Sequence, residues 1–279
     1  MNSTGTKAVL SSCTSPATAT NGPGALVLPK IGRTNSIMAF SVRTGGCSPP
    51  PFASLNFSVS QGDALKNVQR NYATLAECLG IEADRIVTCR QVHKDSVEVI
   101  DALPEVPPRA DAIITSNPGI YPAIKTADCL PILLLDPVRR VAGAIHAGWR
   151  GTVLRITRKV VRMMKSRYGT NPMDLVAGLG PAIGPCCYEV DEVVLKPFRQ
   201  GFPQPEQFII RSKSGDGSKE SLRLDLVGAN RFELIQEGVP SANIHSTELC
   251  TSCNAALFFS YRRDGVKSGR HLAITGFIP

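Results

Sequence analysis

No stretch of this 279-residue sequence approaches the roughly 20 consecutive apolar residues that a membrane-crossing helix needs. The longest run, Ile132 to Leu135 with its neighbours, is short enough for a buried strand. Before position 30 there is one basic side chain and no continuous apolar segment of signal-peptide length, so no secretory signal is expected. The nine cysteines, an odd number at irregular spacing, therefore read as thiols of a reduced, cytoplasmic protein rather than a disulfide framework. The Ser/Thr-rich start keeps an organelle transit peptide as the weaker alternative. Acidic residues are absent from positions 1–62, where Lys7, Lys30, Arg33 and Arg43 stand alone. Half of the net charge of +8 sits there, and the other 217 residues carry 27 basic against 23 acidic side chains. Such a balance leaves room for a basic face but does not demand the footprint of a nucleic-acid binder. Trp occurs once and His four times, so any chemistry built on imidazole has few members to draw on.

What is present suits a soluble globular chain. Hydrophobic residues make up 43% and mean hydropathy is close to zero. The length allows a large core without covalent staples. Residues 1–24, small and polar, read as a disordered N-terminal extension, with residues 25–279 as one catalytic domain. "IMAFSVRTGG" is strand-like up to the Gly45-Gly46 turn. Leu65, Val68, Tyr72, Leu75 and Leu79 recur at helical spacing before the stop at Gly80. "RIVTCRQVHKDSVEVID" alternates, with His93 in or just beyond a strand, and "ADAIITS", "PILLLD" and "VAGAIHAG" read as further strands. "GTVLRITRKVVRMMKSRYG" predicts one amphipathic helix with Val153, Ile156, Val160 and Met164 as its stripe. "DLVAGLGPAIGPCCYEV" reads as a strand and a Gly/Pro-rich loop, with a short helix after it. Ser212–Ser221 reads as a polar surface loop, and Asp225 as the cap of a helix ending at Gly238. The last 36 residues read as strands with a turn at "RRDGVKSGR". Strands and helices mix without regular alternation, which favours α+β over a doubly wound sheet.

Of the four histidines, His93 and His146 sit beside the ends of apolar strands, and Cys129 falls where an extended stretch meets a Pro. Such positions bring side chains to the rim of a sheet. Two imidazoles and a thiolate form a borderline-soft set suited to Zn²⁺, with Cu²⁺ conceivable. Three protein ligands leave a fourth position open, the catalytic arrangement. The intervals of 36 and 17 residues match no short zinc pattern, and packing residues remain the other reading.

The segments "FSVRTGG", "SLN", "QVH", "TADCLPILLLDP", "AGAIHAGWRGT", "GPAIGPCCYEV" and "LFFSYRRDG", in this order from about Ser36 to the end, resemble the YfiH-like, laccase-domain family, also called multicopper polyphenol oxidases. The resemblance implies a single layered αββα sandwich domain with mixed sheets. It also implies that His93, Cys129 and His146 are metal ligands and catalytic. The implied activity is phosphorolysis of purine nucleosides (adenosine, inosine, 5′-methylthioadenosine) together with adenosine deamination. The partners would be nucleosides and inorganic phosphate rather than nucleic acid or membrane, for a monomer or small homo-oligomer. Phosphate beside the ribose calls for arginine forks. Arg150, four positions after His146, is the first candidate, then Arg43, then Arg262 and Arg263. Asn56 in "SLN" is a substrate-binding candidate or a turn residue. The family usually has Gly after the first His where this chain has Lys94, which bears on substrate preference.

Other residues admit two readings. Asp128 either orients a ligand or stabilises a local turn, the second being favoured where the chain is extended. Trp149 packs at the wall of the site or stacks on a base. Cys250 and Cys253 form a CxxC read as two free thiols in preference to a redox pair or half of a second zinc site. Cys186-Cys187 reads as packing beside a tight loop. Two further functions compete. In one, Cys129 is the nucleophile of a hydrolase or amidase acting on peptidoglycan precursors, with His146 or His93 as base. In the other, the protein is a copper-dependent polyphenol oxidase, for which four histidines are few.

Overall fold

In the computed structural model, residues 9–12, 24–27, 35–213 and 220–279 are described. Most of the stretch 1–24 and the centre of the 212–221 loop lie outside them.

The uninterrupted apolar runs become strands covered on both faces. Strand β8 (Leu130–Asp136) and strand β9 (Val141–Ala147) pair antiparallel, and every residue in them is buried. Successive strand side chains point to opposite faces. Thus Leu133, Leu135, Ala142 and Ala144 enter one core, while Ile132, Leu134, Val141 and Ile145 enter another. The hairpin turns where the Asp136 carboxylate accepts N–H bonds from Val138 and Arg139, both at 2.9 Å.

Five short strands flank this hairpin or face it from the same half of the chain: β3 (Ser36–Ser41), β4 (Ile86–Thr88), β5 (Val97–Val99), β6 (Ala112–Thr115) and β7 (Tyr121–Thr126). Further along are β10 (Val176–Leu179), β14 (Ile244–Ser246) and β15 (His271–Phe277). Near the start, β1 (Val9–Ser12) pairs with β2 (Gly24–Val27). One six-stranded sheet has the order β1-β2-β3-β15-β7-β4 and another β14-β10-β8-β9-β6-β5. Both mix parallel and antiparallel pairs. Their facing sides close on a core that includes Met38, Phe40, Ile113, Ile124, Leu133 and Phe277.

Helices cover the outer faces. Helix α1 (Leu65–Leu79) lays Leu75 on the first sheet and stops at Gly80, whose φ of 67° is left-handed. Helix α3 (Ile156–Tyr168) lays Val160, Val161 and Met164 on the second sheet, joined there by Leu234 of helix α5 (Leu226–Gln236). Helix, sheet, sheet and helix stack as the resemblance implies. A third sheet, β11-β13-β12, is built from Glu189–Val190, Glu220–Leu224 and Ile209–Lys213. It packs with helix α4 (Glu192–Gly201) around Phe198, Phe202 and Phe208.

Local expectations differ in three places. The helix expected from Gly151 to Gly169 is broken into α2 (Trp149–Val153) and α3. Between them Arg155 adopts φ 61°, and its guanidinium grips the buried Glu233 carboxylate on both oxygens at 3.0 and 3.1 Å. Val153 therefore joins the aromatic cluster of α4 and not the stripe of α3. The 212–221 loop is narrower than expected, because the β12–β13 ladder runs through Ser212 with Ser221 and Lys213 with Glu220. The "RRDG" turn is helical: α6 (Tyr261–Asp264) starts where the Ser260 hydroxyl accepts the Arg263 N–H.

Among the described residues, seven cysteines are free thiols, whereas Cys78 at the end of α1 is disulfide-bonded, an exception to the reduced set expected from spacing. His271, at the start of β15, lies buried beneath Phe258 and Phe259, with its Nε2 accepting the Phe259 N–H at 2.7 Å. Burial, and then the charges of Arg43 and Arg270, push its pKa down to about 3 from an ordinary 6.5. Between those values the unfolded chain binds a proton that the folded chain refuses. Stability is therefore expected to rise with pH across that window, by up to about 1.4 kcal/mol per pH unit, and to be flat in this respect above it. Urea unfolding of metal-free protein at pH 4.5 and 6.5 measures this. A His271→Gln variant, which keeps an acceptor but does not titrate, should show a smaller difference.

Candidate metal centre and its cavity

Strand parity gathers the site. Cys129, just before β8, has the same parity as Leu133 and Leu135. His146 has that of Ala142 and Ala144, and Asp111 that of Ile113. All three thus fall on the side between the two sheets, at its open end. The turn Ala127–Cys129 carries the chain from β7 in one sheet to β8 in the other. His93 comes from the loop after β4, where it takes φ 56°.

The ligating atoms of His93, Cys129 and His146 lie within 4.8 Å of one another. The two imidazoles meet edge to face with centroids 4.8 Å apart. Behind them stands a residue that the sequence reading passed over. Asp111, fully buried, bonds His146 Nδ1 at 2.9 Å and accepts the N–H groups of Val92 (3.2 Å), His93 (2.9 Å) and Lys94 (2.9 Å). The left-handed turn at His93 is what aims three successive amides at one carboxylate. Asp111 thereby holds the His146 proton on Nδ1 and leaves Nε2 to face the cluster. Burial opposes its charge, but His146 and the Lys94 and His93 amides outweigh burial and hold the carboxyl below its usual range. Its only trace in the sequence is an Asp opening the apolar run "ADAIIT".

The same balance acts on the other members. Burial raises the Cys129 thiol pKa, yet His146 and His93 bring it down to about 6. Burial lowers that of His146, yet Cys129 and Asp111 take it up to about 9. Thiol and imidazole thus share a proton that a cation would displace. Gly148 makes room: a Cβ there would come within 3.0 Å of Cys129 Sγ and 3.8 Å of His93. Two imidazoles, a thiolate and a carboxylate behind one of them form a donor set that fits a divalent zinc-like ion.

These ligands sit on the wall of a cavity of about 880 Å³. Of the candidates read from the sequence, Arg262, Asp128 and Trp149 also line it. Asp128, at φ 90°, accepts the Thr251 hydroxyl and the Arg262 N–H, each at 2.6 Å, so it ties distant segments and not only its own turn. Arg262 stacks on Tyr188, whose hydroxyl is pushed up by burial and by the Cys129 charge. Arg150 is exposed, 4.3 Å over the Trp149 ring, and is not in the lining, although its charge reaches the hydroxyl of the lining residue Tyr188. Arg43 gives its guanidinium to the Ala53 and Ala255 carbonyls, and Arg263 to those of Thr251, Ser252 and Phe258. Asn56 is fully buried, bonded to Asp63, Ser58 and the Arg270 amide. None of these three lines the cavity. Three cations that do, Arg90, Lys125 and Arg270, escaped the sequence reading, and burial lowers the pKa of Lys125 and Arg270. His245 lies on β14, away from the cluster.

A layered αββα domain with a His-Cys-His cluster at the open end between its sheets defines a class of enzymes. The chain belongs to the multi-copper polyphenol oxidoreductase laccase family, whose profile matches residues 37–277. It is 37% identical over 250 residues to the purine nucleoside phosphorylase YlmD of Geobacillus stearothermophilus, covering 86% of this chain and 90% of that one. The crystal structure of YlmD from that organism superposes with a TM-score of 0.82 at 35% identity, covering 94% of this chain and 98% of the other. Adenosine deaminase RL5, from an unknown prokaryotic organism, is 36% identical over 232 residues, 78% of this chain and 85% of RL5. No helix among the described residues is long and apolar enough to cross a membrane.

Proposed function

We propose that this chain is a cytoplasmic, zinc-dependent purine nucleoside phosphorylase acting on adenosine, inosine and 5′-methylthioadenosine, with adenosine deaminase activity beside it. The reading is carried by one observation: His93, Cys129 and His146 converge on a cavity whose walls are cationic and aromatic. Phosphorylase and deaminase are also the activities named for its relatives. A volume of about 880 Å³ falls within the range of small-molecule sites.

His93, Cys129 and His146 would hold the ion, which when bound supplies Lewis-acid stabilisation of charge developing on the substrate. The remaining work falls to the chain's own residues. Asp111 keeps His146 in the ligating tautomer. Tyr188 and Trp149 offer aromatic faces to a purine. Arg262, Arg270 and Lys125 supply positive charge for inorganic phosphate, with Arg150 beside Trp149. In phosphorolysis a phosphate oxygen bonds to the ribose C1′ as the C1′–N bond breaks. The electron pair leaves with the base, which takes up a proton. Copper-dependent phenol oxidation fits less well, because two of the four histidines, His245 and His271, lie elsewhere.

One other reading has an observation behind it. Cys129, His146 and Asp111 stand in line as thiol, imidazole and carboxylate, the order a thiol nucleophile requires. Chelation separates the two. Zinc-loaded protein should release free base from nucleosides only with phosphate, and ammonia from adenosine without it, and should lose both activities when the metal is stripped. Failure to turn over adenosine, inosine and methylthioadenosine with metal and phosphate present retires the proposal.

A further inference from the structure

A second thiol cluster lies apart from the His-Cys-His group. Cys186 and Cys187 stand in the loop after β10, and Cys250 and Cys253 in the loop after β14. The four sulfurs lie within 4.8 Å of one another. Cys253 Sγ is 3.5 Å from Cys186 Sγ and 3.3 Å from Cys187 Sγ. A disulfide would hold two sulfurs at about 2.05 Å, and all four thiols are free. Four sulfurs each about 2.3 Å from a tetrahedral centre stand roughly 3.8 Å apart. The observed spacing surrounds that figure, so a small cation can be taken up with little movement.

The two loops are held together independently of the thiols. Ala182 bridges Cys250 in parallel, and the Thr251 N–H reaches the Ala182 carbonyl at 3.0 Å. The Gly184 N–H points at Cys250 Sγ at 3.3 Å, a contact that favours a thiolate. A Cβ on Gly184 would come within 3.3 Å of both Cys186 Sγ and Cys250 Cβ, so the loop passes close under the sulfurs. Arg223, Arg262 and Arg263 bond the carbonyls of Cys186, Cys187, Thr251 and Ser252. Three guanidinium groups, of which Arg263 is paired with the Asp264 carboxylate at 2.7 Å, thus hold the backbone of a place where four thiolates and a divalent ion would leave two negative charges.

We propose that Cys186, Cys187, Cys250 and Cys253 bind a structural zinc ion in a closed tetrahedral site, distinct from the His93–Cys129–His146 centre. Four thiolates select zinc or iron among common metals, and a site with no open position has no place for substrate. Binding releases up to four thiol protons to solvent, and no oxidant or reductant is involved. The ion would fasten the loop bearing Tyr188 to the segment leading to Arg262, two adjoining parts of the cavity wall.

Metal analysis of the full chain, purified under reducing conditions and equilibrated with zinc, tests this without reference to turnover. Two equivalents are expected in the wild type, one in Cys129→Ala, one in Cys253→Ser and none in the double variant. With cobalt in place of zinc, Cys129→Ala should show the intense visible and near-ultraviolet absorption of a tetrahedral tetrathiolate, lost on adding Cys253→Ser. If the Cys253→Ser chain does not fold, alkylation of native wild type with peptide mapping takes its place. Cys186, Cys187, Cys250 and Cys253 should resist the reagent until a chelator is added. A single equivalent that disappears in Cys129→Ala, two equivalents retained in Cys253→Ser, or immediate alkylation of all four in zinc-loaded protein overturns the proposal. Because Cys129→Ala reads the first centre separately, failure of either site is distinguishable from failure of the other.

Discussion

Cys129→Ala should lower phosphate-dependent release of adenine from 5′-methylthioadenosine by on the order of a thousandfold or more, about 4 kcal/mol of transition-state stabilisation. Cys129 is the one anionic donor in the cluster, and the two imidazoles remaining make a poor site for a divalent ion. The loss should therefore appear in kcat/KM together with the loss of one equivalent of metal. Added zinc at high concentration should restore little. The fold should survive, because the side chain is small and half-buried at the rim of a cavity. Activity that persists in Cys129→Ala with its metal content intact would mean that the thiol is a bystander. Activity lost while metal is retained, and insensitive to chelation in the wild type, would favour the nucleophile reading. Steady-state rates beside metal analysis on one preparation distinguish these outcomes.

Asp111→Asn should weaken metal binding roughly tenfold to a hundredfold, the usual cost of losing a partner behind a metal-bound imidazole. The carboxylate accepts four N–H groups in a buried place. Asparagine offers one oxygen and turns an amide toward N–H groups that need an acceptor. About 2 kcal/mol of stability or more should go with it. Competition against a chromophoric chelator reads the first effect, and urea unfolding of the metal-free form reads the second. An Asp111→Asn protein with unchanged affinity would remove Asp111 from the account of the centre.

Much of the architecture could be read directly from the sequence. The apolar runs around Leu133 and Ala144 are strands because only a strand buried on both faces explains them at that length. Leu75 and Gly80 mark the body and the stop of α1 through spacing and a left-handed residue. The break in the Gly151–Gly169 helix could not be read that way. Its apolar spacing is continuous, and only the distant Glu233 carboxylate holds Arg155 out of helical geometry. The site divides likewise. His93, Cys129 and His146 were gathered through family resemblance, since intervals of 36 and 17 residues carry no local pattern. What assembles them is strand parity within the second sheet for Cys129 and His146, and the left-handed turn in the loop after β4 for His93. Asp111 was invisible because its role depends on the backbone turn at His93, not on its own neighbours. Arg43 and Arg263 looked like anion sites from position alone, while in the folded chain Arg43 gives its donors to carbonyls and Arg263 to carbonyls and to the Asp264 carboxylate. Lys125 and Arg270 reach the cavity from the end of β7 and the start of β15, and neither stands out in the sequence.

The short turn at Ala127–Cys129 leaves one sheet and enters the other within three residues. An ion gripped by Cys129 would be anchored, through His146, in the second layer and, through His93, to the loop leaving the first. Loading the centre would then be a mechanical act as well as a chemical one: the ion would cross-tie the two layers at their open end and link occupancy to the rigidity of the sandwich.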